Sequence, residues 1–223
     1  MVPLVVYIAR DGSYRFKIIL YGPSLSGKTT MLRKFKETNS DNLGKILSIE
    51  QSDGRTIFFD YTTLRVHRNV FCDIYTAPGQ KRHRKQRLIL LKSVDGVIFV
   101  ADSDPRAVRE NLESIRELRM FFGSRFKTLP LVIALNKRDL PDALPMTVLL
   151  RILELNRPFV AYPTIAIRGL GIDIVFRNAI RLTVLSKLAP SIYRMELLEL
   201  SRREPYYGVI KESIREDAIY ALG

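Results

Sequence analysis

The chain has 223 residues, 47% hydrophobic and 26% charged, a balance that suits one α/β domain with an appendage and excludes a disordered or fibrous chain. Lys plus Arg number 36 against 23 Asp plus Glu, so the formal charge of +13 predicts attraction to something acidic without naming its class. One cysteine, Cys72, excludes an internal disulfide; no apolar run approaches the ~20 residues of a membrane span, and neither end carries a leader or lipid-anchor pattern, so the reducing cytoplasm is the expected compartment.

In chain order, residues 3–9 and 14–21 are apolar runs flanking Asp11-Gly12, a hairpin signal. The second run meets Gly22-Pro23-Ser24-Leu25-Ser26-Gly27-Lys28-Thr29-Thr30, and a helix is predicted over 28–36. The string G-x-x-x-x-G-K-[ST] stands between a strand and a helix, the context in which it cradles phosphate. Backbone N–H groups of a tight loop turn inward, and the helix N-terminus adds its dipole. Lys28 can supply positive charge to the β- and γ-phosphates, and the Thr29 hydroxyl can ligate Mg²⁺.

Residues 38–57 are rich in Asn, Ser, Asp and Gly and read as a mobile segment. Residues 56–64 and 66–75 form a second predicted hairpin, and the apolar run 97–101 reads as a buried strand. Asp104-Pro105 opens a helix with apolar Leu112, Ile115, Leu118 and Met120, ending at Gly123; Asp102 and Ser103 read more simply as caps of that helix than as site residues. The strand 131–135 runs into Asn136-Lys137-Arg138-Asp139. A carboxylate at that place accepts two hydrogen bonds from guanine, at N1–H and the N2 amino group, a pattern adenine does not offer. A helix over 146–155, a strand over 159–167 and a helix over 172–188 complete the body.

Pro190 marks a boundary between a domain at 1–189 and an extension at 190–223, in which helices are predicted over 191–203 and 209–221. Ile192, Met195 and Leu198 share one helical face there. The extension carries 5 basic and 6 acidic residues, so the positive charge belongs to the body. It reads as packing back on the domain, with a partner-binding appendage as the second reading and membrane contact as the third, which the lack of a Lys/Arg-rich polar face disfavours.

These motifs resemble those of a small GTPase of the Ras superfamily. Tyr75-Thr76-Ala77-Pro78-Gly79-Gln80, with residues 97–103 (VIFVADS) and 136–141 (NKRDLP), is similar to the MglA group of prokaryotic GTPases, over about residues 14–188. The resemblance implies an α/β P-loop NTPase fold: a G domain with a mostly parallel central sheet, an extra N-terminal hairpin strand and a C-terminal helical extension. It implies bound GTP or GDP with Mg²⁺, and a partner of the roadblock type (an MglB-like activating protein). Most Ras-type switches carry Asp at the first position of D-x-x-G; Thr76 stands there, as in the MglA group, which removes one anionic group near the metal.

On that resemblance Gly79 senses the γ-phosphate through its backbone N–H, and Gln80 positions the attacking water. Thr56 would be the second metal ligand beside Thr29, and Arg55 an arginine finger supplied in cis. Ser24 replaces a common glycine and predicts slow intrinsic hydrolysis. The Ala166 amide would meet guanine O6, although Ile167 follows it where relatives carry Lys. The expected function is a GTP-hydrolysing molecular switch, with Gln80, Arg55 and Lys28 as catalytic candidates. An RNA- or ribosome-associated GTPase, favoured by the basic body, and a nucleotide-binding scaffold with little hydrolysis remain as alternatives. The basic run Lys81-Arg82-His83-Arg84-Lys85-Gln86-Arg87 follows Gln80 and reads either as a solvated helix face or as a surface for an acidic partner.

Overall fold

The computed structural model describes residues 7–49, 59–155 and 158–202. The elements in order are β1 (Tyr7–Ile8), β2 (Tyr14–Tyr21), α1 (Lys28–Thr38), β3 (Leu47–Ile49), β4 (Phe59–His67), β5 (Val70–Thr76), α2 (Arg84–Leu91), β6 (Gly96–Asp102), α3 (Val108–Phe122), β7 (Leu131–Asn136), α4 (Met146–Ile152), β8 (Val160–Pro163), α5 (Ile172–Leu188) and α6 (Pro190–Arg202). They form one sheet in the order β3-β4-β5-β2-β6-β7-β8. The five strands β5, β2, β6, β7 and β8 run parallel, and β3 and β4 extend them antiparallel. β1 pairs antiparallel with the start of β2. In the turn before β2 the Ser13 amide donates to the Asp11 carboxylate at 3.0 Å.

Both faces of the sheet are covered, which is why β6 and β7 are buried at every residue. On one face Phe16, Ile18 and Leu20 of β2 pack with α1 and α5, where Phe35 and Phe176 stack with centroids 3.9 Å apart. On the other, Ile19 and Tyr21 pack with α2, α3 and α4. The carboxyl ends of the parallel strands lie at one edge of the sheet, where open α/β sheets bind ligands in a crevice.

Several local expectations change. The segment 38–57 contains β3, whose Leu47 and Ser48 pair with Tyr61 and Asp60, because the edge of β4 offers unpaired N–H and C=O groups. The hairpin turns at Arg68-Asn69 rather than at Arg65, since β4 continues through an irregularity at Arg65 and His67. The strand predicted at 159–167 stops at Pro163, and Ala166–Arg168 is a short 3-10 turn. Met120 is exposed and Phe122 takes the inward place on α3. Asp104, not Asp102 or Ser103, caps the α3 region, accepting the Arg106 amide at 2.8 Å. On α6 the buried face is Tyr193 and Leu197, which leaves Ile192, Met195 and Leu198 outward. This helix packs on α5 and β8, as the packing-back reading expects, and Arg181 bonds Glu196 at 3.0 Å. The second tail helix, expected over 209–221, lies outside the described residues, as do Arg55 and Thr56.

Candidate functional site

The loop from Gly22 to Gly27 leaves the end of β2 and enters α1. Leu25 and Gly27 adopt left-handed backbone, with φ of 60° and 98°. At Gly27 this conformation and the space both require glycine, since a Cβ would lie 2.3 Å from Asn136 Nδ2. The Lys28 side chain is buried and folds back over the loop, donating to the carbonyls of Gly22 at 3.1 Å and Pro23 at 2.5 Å and to Ser26 Oγ at 3.4 Å. Burial pushes its ammonium down to about 7; the charge of Arg87 adds to the depression and that of Asp102 opposes it. Ser24 and Leu25 are exposed at the loop tip, and Thr30 is half-buried on α1.

Asn136, at the end of β7, joins three loops. Its Nδ2 donates to Ser26 O at 2.7 Å, and its Oδ1 accepts from Thr164 Oγ1 at 3.1 Å and from the Ala166 amide at 2.9 Å. The amide expected at guanine O6 is therefore engaged within the protein. Ala166 is buried and Ile167 is 65% exposed. Lys137 has left-handed backbone, φ 65°, and its Nζ pairs with Asp102 Oδ2 at 2.6 Å. Asp102 thus orients Lys137 through Oδ2, while its Oδ1 accepts the Asp104 amide at 3.1 Å in the turn before the helix. Asp139 is exposed two residues on.

At the other end of the crevice, Thr29 Oγ1 donates to Asp60 Oδ2 at 2.8 Å. Ser48 Oγ donates to Asp60 Oδ1 at 2.9 Å, and Thr76 Oγ1 to Asp60 Oδ2 at 3.3 Å. Gly79 lies against the loop of residues 22–27 so closely that a Cβ would sit 2.5 Å from Ser24 Cα and 2.6 Å from Ser24 N. The Gln80 side chain is exposed, while its carbonyl accepts Arg87 Nη1 at 2.6 Å. Arg87, within the basic run, is not solvated. It pairs with Glu117 of α3 at 2.7 Å and also reaches Pro78 O at 3.3 Å. Burial would raise the Glu117 carboxyl, but hydrogen bonds from Arg87 and Tyr21 outweigh it and hold the group below its ordinary value. Arg82, Arg84 and Lys85 are exposed.

The structure thus gathers the phosphate loop, Asn136, Lys137 and Ala166 at one end of the crevice, and Thr29, Thr76 and Gly79 at the other. Asp60, Asp102, Arg87 and Glu117 belong to this neighbourhood and were not singled out as site residues. For Asp60 the available signal was a lone acid at a strand start after apolar Ile57, Phe58 and Phe59. For Glu117 the sequence carries none.

A model of the ADP-ribosylation factor family matches residues 6–185. The mutual gliding-motility protein MglA of Myxococcus xanthus is 38% identical over 165 residues, covering 70% of this chain and 84% of the relative. Among solved structures, the Arl6 (BBS3) small GTPase of Trypanosoma brucei with a bound nucleotide analogue, GppNp, superposes with a TM-score of 0.57 at 20% identity. That match covers 78% of this chain and 99% of the other, and it bears on the fold.

Proposed function

The chain belongs to the ADP-ribosylation factor family of small GTPases in the Ras superfamily, and to its MglA type, and from that membership we propose which residues carry its chemistry. It is a GTP-binding switch that hydrolyses GTP to GDP and phosphate. The observation that carries the site assignment is Asn136, which hydrogen-bonds the phosphate loop at Ser26 while standing in one strand end with Lys137 and Asp139. Phosphate and base recognition are thereby held in one rigid frame.

In this reading the backbone N–H groups of Gly22 and of Ser24 to Gly27 cradle the phosphates, and Lys28 turns from the Gly22 and Pro23 carbonyls to the β- and γ-phosphates. Asp139 accepts the guanine N1–H and N2 amino protons. The Ala166 amide reaches guanine O6 only by leaving or sharing Asn136 Oδ1, and the Ile167 backbone flanks it. The hydroxyl of Thr29, held beside a buried carboxylate, is a hard oxygen donor of the kind Mg²⁺ takes. Thr29 and Thr56 would hold this ion, which when bound supplies positive charge to the β- and γ-phosphate oxygens. Gly79 donates its amide to the γ-phosphate, and Gln80 orients the attacking water. Arg55 approaches the γ-phosphate in the transition state.

The test of base recognition is Asp139→Asn. Its affinity is expected to pass from GTP to xanthosine triphosphate, whose C2 carbonyl pairs with an amide donor. Equal affinity of the native chain for ATP and GTP would overturn the assignment. Arg55→Ala and Gln80→Leu are each expected to cut single-turnover hydrolysis at least ~10-fold while GTP affinity stays within about a factor of 3, the pattern of contacts made in the transition state.

The partner we propose is a roadblock-type, MglB-like activating protein, with an effector of acidic surface beyond it. The exposed Arg82, Arg84 and Lys85 beside Gln80 would steer such a surface. Neutralising all three should slow association and flatten its salt dependence; an unchanged rate across ionic strength would remove the idea. Among the described residues no helix is long and apolar enough to cross a membrane. The single buried thiol, Cys72, fits the cytoplasmic location proposed for such a switch.

A further inference from the structure

Across β3, β4 and β5 the residues Ser48, Asp60 and Thr76 stand in one row. Ser48 and Asp60 are register partners, and the Asp60 amide donates to Thr76 Oγ1 at 2.9 Å. Cross-strand neighbours share a face of the sheet, and this face looks toward the start of α1. The Asp60 side chain points there and accepts the Thr29 hydroxyl at 2.8 Å. Asp60 is 8% exposed. Its side-chain partners among the described residues, Thr29, Ser48 and Thr76, are all uncharged hydroxyls. Among the described residues no Lys, Arg or His side chain forms an ion pair with it. A buried carboxylate with neutral partners alone is costly, and a nearby cation offsets that cost.

Two facts meet at this place. Position 76, on β5, carries a hydroxyl where most Ras-type switches carry a carboxylate. Directly across the strand pair, one residue of β4 brings a carboxylate to the same hydroxyl and to the proposed metal ligand.

We propose that Asp60 is the positioning residue of the Mg²⁺ site: the anionic group has moved from β5 to β4, and Asp60 orients Thr29 and supplies the negative charge that Thr76 lacks. The inference rests on the GTPase reading and extends its metal site. Because its proton is committed to Asp60, the Thr29 hydroxyl is oriented with its oxygen lone pairs available to the ion. Thr76 Oγ1 holds Asp60 at two points, accepting its backbone amide and donating to its carboxylate. Ser48 ties the same carboxylate to β3, so a movement of β3 along β4 would alter the charge and orientation presented at Thr29. Metal affinity and the position of that edge are thereby coupled.

The test measures Mg²⁺ dependence directly. The full chain is loaded with a fluorescent GDP analogue, and the Mg²⁺ concentration that half-suppresses nucleotide release is determined, with Mn²⁺ affinity of the GDP complex read independently by electron paramagnetic resonance. Asp60→Asn keeps the size of the side chain and removes the charge; it is expected to raise both the half-suppressing Mg²⁺ and the Mn²⁺ dissociation constant ~10–100-fold, as loss of an outer-shell carboxylate does. Thr76→Asp placed in the Asp60→Asn background restores a carboxylate to the row and is expected to recover both to within about 3-fold. A merely structural Asp60 would give no such rescue by a second site. Unchanged Mg²⁺ and Mn²⁺ dependence in Asp60→Asn overturns the proposal, as does failure of the double variant to recover while its thermal unfolding matches that of the native chain. Failure of the native chain to bind the GDP analogue at any Mg²⁺ concentration would instead overturn the GTPase reading itself.

Discussion

At the Asn136 end of the crevice one amide group holds the phosphate loop, the strand-end loop after β7 and the loop before α5 together through three hydrogen bonds. At the Gly79 end the corresponding segments are held by charged side chains from other elements: Asp60 on β4 gathers three hydroxyls, and Arg87 on α2 ties Pro78 and Gln80 to Glu117 on α3. The first arrangement is built from neutral groups within short reach of the sheet. The second depends on charged side chains that reach across from other elements. Neutral, buried, fully bonded networks have one low-energy geometry, whereas a segment hung on an ion pair can be released by losing one partner. A switch needs a fixed end that holds the nucleotide and a releasable end that reports its state, and the two modes of attachment divide along that line.

Asn136→Ala should break the fixed end most severely. It orphans the buried Ser26 carbonyl, the Thr164 hydroxyl and the Ala166 amide, at ~1–3 kcal/mol each, so an overall stability loss of ~3 kcal/mol or more is expected in urea unfolding. GDP affinity should fall with it. A loss under ~1 kcal/mol would mean that the three loops hold their places without this residue.

Arg87→Met tests the releasable end. Removing the guanidinium leaves half-buried Glu117 with the Tyr21 hydroxyl and the looser Arg84 pair at 3.6 Å, and frees the Pro78 and Gln80 carbonyls. A stability loss of ~2 kcal/mol is expected, smaller than for a fully buried pair because solvent reaches Glu117. The sharper readout is hydrogen exchange: amides at 78–91 should exchange faster while those of α1 and β7 stay unchanged. Uniform acceleration would erase the contrast between the two ends.

Gly79→Ala probes contact between them. The added methyl meets backbone atoms of Ser24 and Pro23 at 2.5 to 2.8 Å, none of which can rotate away. Residues 77–80 must then shift off the phosphate loop. GTP hydrolysis is expected to drop ~10-fold through lost positioning of the nucleophile, and GDP affinity to change little. Native hydrolysis in this variant would place Gly79 away from the reacting phosphate.

The smallest effect is one of pH. Burial pushes the Lys28 ammonium down to about 7 in the free protein, and bound phosphates would keep it protonated. Binding then takes up a proton as pH passes through 7, and GDP affinity should weaken about 3-fold from pH 6.5 to 7.5. Calorimetry in buffers of different ionisation enthalpy measures the uptake. For folding the sign is opposite in consequence: the unfolded chain holds the Lys28 proton up to its ordinary 10.5, so this group's contribution to stability rises with pH between about 7 and 10.5. GDP affinity constant from pH 6.5 to 7.5 would show that Lys28 keeps its proton without nucleotide.

The sequence alone determined the parts of this protein that are written in contiguous strings. The loop from Gly22 to Thr30 and the run from Asn136 to Asp139 announce themselves because a strand end, a tight turn and a helix start are local events, specified by neighbours in the chain. α5 was legible to the residue, since a long apolar periodicity against a buried sheet leaves few alternatives. The tertiary structure decided the rest. Thr29 and Asp60 are 31 residues apart, Arg87 and Glu117 are 30 apart, and Ser26 and Asn136 are 110 apart. No local pattern encodes such pairs; strand register and helix packing bring them together. Likewise only packing selected Tyr193 and Leu197, rather than Ile192, Met195 and Leu198, as the buried face of α6, because both sets fit a helical period and the surface offered by α5 and β8 chose between them.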